Sequence, residues 1–160
     1  MSLENVSREE IVAWLHKWHA GADTLTTDAH HMFFTKDATL TYANNHPVVG
    51  LNNIIEFFNA VFPLLSSMSH QTRSLAVSKN TLFLRDYIIY IVKGDPEKKE
   101  IKVPALGVFE MVENAGERIG RVDLSGKGEG GEAAVVKGLE IYLDASEVFG
   151  RIQGVKEGRL

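Results

Sequence analysis

The chain contains no cysteine, and this absence removes several kinds of chemistry at once. Without cysteine there is no disulfide, no zinc–thiolate site and no thiol nucleophile. No apolar run approaches the roughly 20 residues that cross a bilayer. The opening segment MSLENVSREE has neither a basic stretch nor an apolar one, so no secretory signal is predicted. We therefore expect a cytoplasmic protein without a membrane partner.

Clustered positive charge is also missing. The formal net charge is −4, with acidic and basic residues interspersed. Nucleic-acid-binding domains carry a basic patch, so no nucleic-acid partner is expected. A length of 160 residues predicts one domain, residues 1–160, with a core large enough to need no covalent staple. Aromatic residues make up 9% of the chain, and a pocket walled by them would suit a small apolar molecule.

The first half of the chain shows helical patterns. Ser7 and Glu10 have the spacing of a capping box, and the apolar residues that follow recur on one helical face. A shorter helix is predicted over about 28–34 and a strand over 38–44. A third helix begins near Asn52 and ends or kinks at Pro63, because proline cannot donate its backbone hydrogen bond.

The second half shows strand patterns at about 69–78, 81–93, 100–112, 117–123 and 139–145. Helices followed by antiparallel strands predict an α+β domain, with a curved antiparallel sheet wrapped around the N-terminal helices. The stretch 125–138 is rich in glycine and is predicted to be an insertion loop. It contains the letters of a G-x-G-x-x-G motif at 126–131. No βαβ unit surrounds that motif, so no nucleotide cofactor is expected.

Tyr42 and Asn44 are the first candidates for a site. Two residues apart on a strand, they would leave the same face of the sheet. A phenol beside a carboxamide could hold a water molecule or a ligand oxygen. The alternative is a tyrosine packed in the core and an asparagine near a turn.

Further polar candidates follow on the predicted strands. His70 could act as a general base near neutral pH, or lie at a strand edge in solvent. Asp86 and Tyr87 are adjacent, so only one can face inward. We expect Tyr87 inside and Asp86 outside, paired with a neighbouring cation. We also expect Trp18, Phe58 and Leu106 to line the pocket.

The remaining histidines give no metal prediction. His16 and His19 lie three apart on the first helix with no third ligand nearby, and His30 and His31 are expected at the surface. No metal and no other cofactor is predicted.

The order of motifs resembles the nuclear transport factor 2-like superfamily, and within it the SnoaL-like proteins. The resemblance lies in the opening helix and in FFTKDATLTYANNHPVVGLNNIIEFF, PALGVFEM, RIGRVD and IYLDAS. It implies a cone with an internal pocket. It also implies the reactions known in the superfamily, such as polyketide cyclisation, isomerisation, dehydration and epoxide hydrolysis, alongside members that only bind.

Locally the chain resembles limonene epoxide hydrolase, in which a Tyr-x-Asn pair holds the attacking water. That enzyme also uses an Arg-x-Asp pair on a middle strand and an aspartate on the last strand. Our alignment places Tyr87 and Ile89 at the pair and Ile141 at the aspartate. This departure argues against epoxide hydrolysis by the same mechanism.

The resemblance to SnoaL-like cyclases further implies a late aspartate as acid or base. Asp144 is our candidate, and Asp123 competes for the role; either could instead face solvent or cap a helix. Two functions remain open: cofactor-free acid/base catalysis on a polyketide or terpenoid, or ligand binding without chemistry. The family also implies a homodimer through the outer sheet face, to which Tyr90 or Phe109 would contribute if they point outward.

Overall fold

A computed structural model describes residues 1–125 and 130–160. Its helices are α1 (Arg8–Ala22), α2 (His30–Phe33), α3 (Leu51–Val61), α4 (Ala115–Arg118), α5 (Gly130–Ala133) and α6 (Ser146–Lys156). Its strands are β1 (Phe34–Tyr42), β2 (Val48–Val49), β3 (Leu65–Ser78), β4 (Thr81–Val92), β5 (Ile101–Met111) and β6 (Val136–Leu143). Short 3₁₀ turns cover Leu3–Asn5, Phe62–Leu64 and Ile119–Arg121.

The six strands form one curved sheet in the order β2-β1-β6-β5-β4-β3. All neighbouring strands are antiparallel except β1 and β6, which run parallel with Tyr42 opposite Ile141. The α+β class and the curved sheet with N-terminal helices are confirmed. The sequence did not indicate the parallel pair, because β1 and β6 are about a hundred residues apart in the chain.

The first helix starts as predicted. The Ser7 side chain accepts from the backbone N–H of Glu10, and the Glu10 carboxylate accepts in return from Ser7. This reciprocal cap satisfies two N–H groups that the helix itself cannot pair. Trp14 and Leu15 are then buried against the sheet, so α1 supplies one wall of the interior.

Strand β4 shows which residues face the interior. Its even-numbered residues from Leu82 to Val92 are buried, and its odd-numbered residues are exposed or half-buried. This alternation follows from the period of two along a strand, with one face covered by helices. It places Asp86 inside and Tyr87 outside, so our predicted orientation of this pair was wrong.

Several predicted elements differ from the structure. Strand β1 spans residues 34–42 rather than 38–44. Where a strand was predicted over 117–123, residues 117–121 form helical turns and no strand is present. Strand β6 begins at Val136, inside the stretch predicted as a glycine-rich loop, while residues 126–129 of that stretch lie outside the described residues. The sequence patterns also missed α6, whose Gly150 and Gly154 weaken its helical signal.

Helix α6 is fastened to the β4–β5 connection by an ion pair. Asp95 accepts two hydrogen bonds from the Arg151 guanidinium, at 2.9 and 2.7 Å. It also accepts from the backbone N–H groups of Glu97 and Lys99. These contacts fix the loop between the strands and hold Val148 and Ile152 of α6 in a second apolar cluster.

None of the helices in the described part of the chain combines the length and apolarity that crossing a membrane requires.

Candidate functional site

A cavity lies between α1, α2, α3 and the inner face of the sheet. Its volume, counted as the space open to the centre of a water molecule, is about 80 Å³. A single buried water needs roughly 10–15 Å³ by the same measure, so the cavity has room for a small organic molecule. Its aromatic and large aliphatic walls are Trp18, Phe33, Phe58, Phe62, Phe109, Met68, Leu84, Ile88, Leu139 and Ile141. Trp18 and Phe58, which we predicted as pocket residues, are among them.

The cavity is hollow because small residues occupy part of its wall. These are Gly21, Ala22, Ala29, Ala105 and Gly107. The Phe109 ring lies over Gly107, where an added Cβ would stand 3.0 Å from Phe109 Cε2. A larger residue at 107 would therefore push that ring into the cavity.

Five polar residues complete the lining: His30, Tyr42, His70, Asp86 and Tyr90. A buried polar group without a hydrogen-bond partner costs free energy, so each of these five residues is expected to have such a partner or a role in binding a ligand. Their contacts are therefore the informative part of the site.

Asp86 and His19 form the deeper of two carboxylate–imidazole pairs. Asp86 lies on β4 between Leu84 and Ile88, and His19 lies one turn before the end of α1. Their atoms Asp86 Oδ2 and His19 Nε2 are 3.1 Å apart, and both side chains are about nine-tenths buried. The other carboxylate oxygen, Asp86 Oδ1, is buried with no hydrogen-bond partner among the described residues.

Asp23 and His70 form the second pair, nearer to solvent. Asp23 ends α1, and its Oδ1 lies 2.6 Å from His70 Nδ1 on β3. The same carboxylate accepts from the His70 backbone N–H at 3.3 Å. The rings of His70 and His19 are stacked, with centroids 4.7 Å apart and planes 9° apart. The two pairs therefore form one continuous polar group.

Tyr42 and Tyr90 extend this group. Burial raises the pKa of Tyr42, and burial together with the hydrogen-bonded Tyr42 hydroxyl raises the pKa of Tyr90 well above its ordinary value. The charge of Asp23 adds to the effect on the Tyr90 pKa, which brings the second carboxylate–imidazole pair into the same electrostatic neighbourhood. Both phenols stay protonated at neutral pH. In the hydrogen bond between them one hydroxyl donates to the other, so one O–H remains free to donate to a ligand.

His30 is the remaining polar residue in the lining. It is only 7% exposed, and its ring lies against Phe34, Phe58 and Phe62 with centroids 5.0–6.2 Å apart. Burial, and secondarily the charge of His31, lower the pKa of His30 to about 4. It is thus a neutral imidazole at physiological pH, with no hydrogen bond from its ring to any residue that the structure describes.

The structure separates the two residues with which our site prediction began. Tyr42 is the last residue of β1 and lines the cavity, whereas Asn44 lies in an exposed turn. The cause is Ala43, whose positive φ of 51° turns the chain away from the sheet. The prediction that the two side chains share a strand face was wrong.

Other predicted positions also fall outside the cavity. Asp144 is exposed and accepts from the backbone N–H of Ser146 at the start of α6, and Asp123 makes the equivalent bond to Ser125. Tyr87 and Leu106 lie on the outer face of the sheet, where Tyr87 is covered by the cationic groups of Arg73 and Lys102. The prediction of Tyr87 and Leu106 as lining residues was wrong because their strand parity was misjudged.

The sequence analysis missed His19, Asp23, His30 and Tyr90 as site residues. Tyr90 and Phe109 point inward, so they cannot contribute to an outer interface as we had supposed. The signal that could have found Asp86 and Tyr90 was the parity of β4, in which the even positions are the more apolar set. No local pattern brings His19 next to His70, because fifty residues separate them.

The register also revises the comparison with the epoxide hydrolase pattern. On β4 the cavity-facing residues are Leu84, Asp86, Ile88 and Tyr90, and not Tyr87 and Ile89. One carboxylate, that of Asp86, therefore faces the cavity from this strand, and no arginine is among the described residues that line the cavity. Ile141 on β6 does line the cavity, as expected.

Within the described ranges, no three histidine, aspartate or glutamate side chains are gathered as a metal site would require. The chemistry offered by the cavity residues is proton transfer through the imidazoles, hydrogen bonding from the phenols and hydrogen-bond acceptance by Asp86.

No protein-family model and no curated protein matches the sequence. Solved structures do match in three dimensions. A protein of Jannaschia sp. CCS1 assigned as a SnoaL-like polyketide cyclase superposes with a TM-score of 0.64 at 12% identity, covering 90% of this chain and 92% of its own. The BvnE pinacolase of Penicillium brevicompactum gives 0.66 at 12% identity, covering 94% and 98%. An LEH-like epoxide hydrolase of M. tuberculosis gives 0.59 at 10% identity, covering 91% and 90%.

These matches span nearly the whole of each chain, while the sequences have diverged almost completely. They show that the chain has the fold shared by SnoaL-like and other nuclear transport factor 2-like proteins, as its motif order indicated. At such identities the likeness concerns the fold, and function has to be argued from the residues in the cavity.

Proposed function

We propose that this protein is a cofactor-free acid/base enzyme that acts on a small, mainly apolar molecule bearing oxygen, such as a polyketide or a terpenoid. The reaction would be a cyclisation, isomerisation, dehydration or hydrolysis. The observation that carries the proposal is the two stacked imidazole–carboxylate pairs, which present His70 and Asp86 to a mainly apolar cavity.

His70 is the proposed proton carrier. With Asp23 accepting at Nδ1, the proton of a neutral imidazole is held on that nitrogen, and Nε2 is left with a free lone pair. His70 lines the cavity, so this lone pair can take a proton from a bound molecule. His19, stacked on His70 and paired with Asp86, fixes the position of the ring.

Tyr42 and Tyr90 are the proposed oxygen-binding groups. If His70 removes a proton from carbon beside a carbonyl, the C–H electron pair forms a carbon–carbon double bond and the oxygen gains negative charge. A phenol donating a hydrogen bond to that oxygen stabilises the developing charge, most strongly where water is excluded. Both tyrosines line the cavity, and the hydroxyl that accepts the hydrogen bond between them keeps its own O–H for a ligand oxygen.

The structural neighbours support the reaction class. Proteins of the same fold are described as a polyketide cyclase, a pinacolase and an epoxide hydrolase. The apolar walls of this cavity suit substrates of that kind, whose bulk is hydrocarbon with a few oxygens.

The experiment uses a library of small ketones, hydroxyketones and epoxides, screened by thermal shift and then incubated with the enzyme in D2O. Proton abstraction next to a carbonyl appears in NMR spectra as deuterium replacing hydrogen, even when no net product forms. We expect at least one ligand to show enzyme-dependent exchange or ring opening. His70→Gln should slow it by about a hundredfold or more, the usual contribution of a general base.

His46→Gln and Tyr142→Phe are the matched controls, because His46 and Tyr142 are exposed and lie outside the cavity. Tyr90→Phe should reduce the rate, whereas Tyr142→Phe should not. Exchange that persists at the wild-type rate in His70→Gln would rule out the proposed base.

A cavity that binds small molecules without chemistry is the second candidate. Ile141 favours it, since it places hydrocarbon where our alignment expects the last-strand aspartate of limonene epoxide hydrolase, and no arginine is among the described residues that line the cavity. Ligands that raise the melting temperature but never exchange or react, at any pH at which the protein is folded, would favour this candidate.

The homodimer remains a prediction that rests on the resemblance. The outer face of the sheet carries Phe83 and Tyr142, which are 38% and 53% exposed, in place of the two residues first considered. Sedimentation velocity at micromolar concentration tests this prediction, and a single monomeric species would contradict it.

A further inference from the structure

We infer that Asp86 is a recognition group for a ligand hydroxyl, so that the molecule bound in the cavity must present a hydrogen-bond donor and not only an acceptor. This inference rests on the proposed function in one respect: it takes the cavity to be a ligand site. It adds the kind of functional group that the ligand carries.

One carboxylate oxygen of Asp86 is buried and unpaired among the residues that the structure describes. Asp86 is 5% exposed, and its Oδ1 has no hydrogen-bond partner within the described part of the chain. Leaving a buried acceptor unpaired costs on the order of 1–3 kcal/mol, and more when the group is charged. The fold tolerates this cost at a position whose neighbours on the same strand face, Leu84 and Ile88, are hydrocarbon.

Asp86 is one of the residues that line the cavity. His19 holds the other oxygen, Oδ2, at 3.1 Å and thereby fixes the rotation of the carboxylate. Asp86 lines the cavity together with Ala105, its partner on β5, whose small side chain leaves space beside it. A ligand hydroxyl placed against this part of the wall would supply the hydrogen bond that Oδ1 lacks, and only a donor group would gain by lying there.

A neutral hydroxyl fits this position better than an ammonium group. The charge of Asp86 is already shared with the His19 imidazole, and His70 is stacked on that imidazole. A ligand cation would lie beside two rings that carry positive charge whenever they are protonated. A hydroxyl also brings an oxygen that Tyr42 or Tyr90 can donate to, which satisfies both kinds of polar group in the lining.

The test uses four six-membered-ring probes of nearly equal size: cyclohexanol, cyclohexanone, methylcyclohexane and cyclohexylamine. Their dissociation constants are measured by ligand-observed NMR for the wild-type protein, for Asp86→Asn and for the control Asp37→Asn, which changes an exposed aspartate outside the cavity. The quantity compared is the ratio of the ketone and alcohol constants, because differences in hydration of the probes cancel between proteins.

We expect the wild-type protein and Asp37→Asn to favour cyclohexanol over cyclohexanone, and Asp86→Asn to shift that ratio about tenfold toward the ketone. The shift arises because the asparagine can keep its oxygen on His19 and present an N–H donor to the cavity. Equal ratios in all three proteins, or tightest binding of cyclohexylamine, would overturn the inference.

A direct measurement covers the case in which Asp86→Asn does not fold. Intermolecular NOEs from cyclohexanol to the methyl group of Ala105 and to Ile88 place the alcohol beside Asp86 in the wild-type protein. Their absence, with binding elsewhere, would overturn the inference without touching the deuterium-exchange result on which the proposed function depends.

Discussion

Two buried carboxylates of this protein, Asp86 and Asp95, are each 5% exposed, yet they have opposite surroundings. Asp95 accepts four hydrogen bonds, two from Arg151 and two from backbone N–H groups. Asp86 has one partner, His19, and an oxygen with none among the described residues. The two carboxylates are equally buried but differ in the number of hydrogen bonds that they accept, and this difference indicates that they have different roles in the protein.

The paired carboxylate is structural. The hydrogen bonds from Arg151 hold the pKa of Asp95 at about 2, against an ordinary value near 3.8. This carboxylate stays ionised at every physiological pH and already accepts four hydrogen bonds, so it has no free lone pair with which to bind a ligand. The partly paired carboxylate of Asp86 lines a cavity in which a ligand could complete its hydrogen bonds, and we assign it to ligand binding for that reason.

The largest effect should follow from breaking the ion pair between Asp95 and Arg151. Arg151→Met leaves the Asp95 carboxylate, whose side chain is 0% exposed, without its main partner. Removing one member of a buried ion pair is strongly destabilising, and we expect the melting temperature to fall on the order of 10 °C. Calorimetry measures this fall, with Lys156→Met as the control for an exposed cation on the same helix. A variant that melts with the wild type would show that Asp95 is not structural.

The second prediction concerns acid stability and His30. Its pKa is about 4 in the folded protein and 6.5 in the unfolded chain. Between these values the unfolded state binds more protons, so stability falls as the pH drops through this window, by about 3 kcal/mol in total. His30→Gln should remove that share of the pH dependence.

Chemical denaturation at pH 7 and at pH 4.5 measures the His30 effect. The difference in free energy of unfolding between the two pH values should be smaller for His30→Gln than for the wild type or for His46→Gln. An unchanged difference would mean that His30 is not held neutral by burial.

The smallest effect should follow from changing Asp86, which is paired with His19 through only one of its two oxygens. Asp86→Asn keeps the volume of the side chain and an oxygen for His19, and it removes a charge that is only partly compensated. We expect the free energy of unfolding to change by less than about 1 kcal/mol, because active sites commonly sacrifice stability. Asp95→Asn, the same substitution in the ion pair with Arg151, should lower the melting temperature clearly more than Asp86→Asn does. Equal losses in both variants would remove the distinction drawn here.

The fold was largely predictable because its signals are local. The capping box of Ser7 and Glu10, the amphipathic third helix and the strand alternation each depend on neighbouring residues, and together they restrict the architecture. The parallel pairing of β1 with β6 depends on residues far apart in the chain, and no local pattern specifies it.

The site was less predictable, for two physical reasons. The turn that removes Asn44 from the sheet depends on a positive φ at Ala43. An alanine in the sequence does not predict this conformation, because alanine rarely adopts it. The cluster of His19 and His70 depends on the packing of α1 against β3. The inward positions of Asp86 and Tyr90 could have been predicted, since both share the strand parity of Leu82, Leu84 and Ile88.

The most direct measurement follows the imidazole NMR signals of the six histidines while a ligand identified by the thermal-shift screen, or cyclohexanol, is added to saturation. The histidines divide naturally, because His30 and His70 line the cavity while His16, His31 and His46 are exposed. We predict that the signals of His30 and His70 shift and that those of the exposed three do not. Equal shifts in both groups, or shifts confined to the exposed histidines, would contradict the claim that the cavity is the functional site.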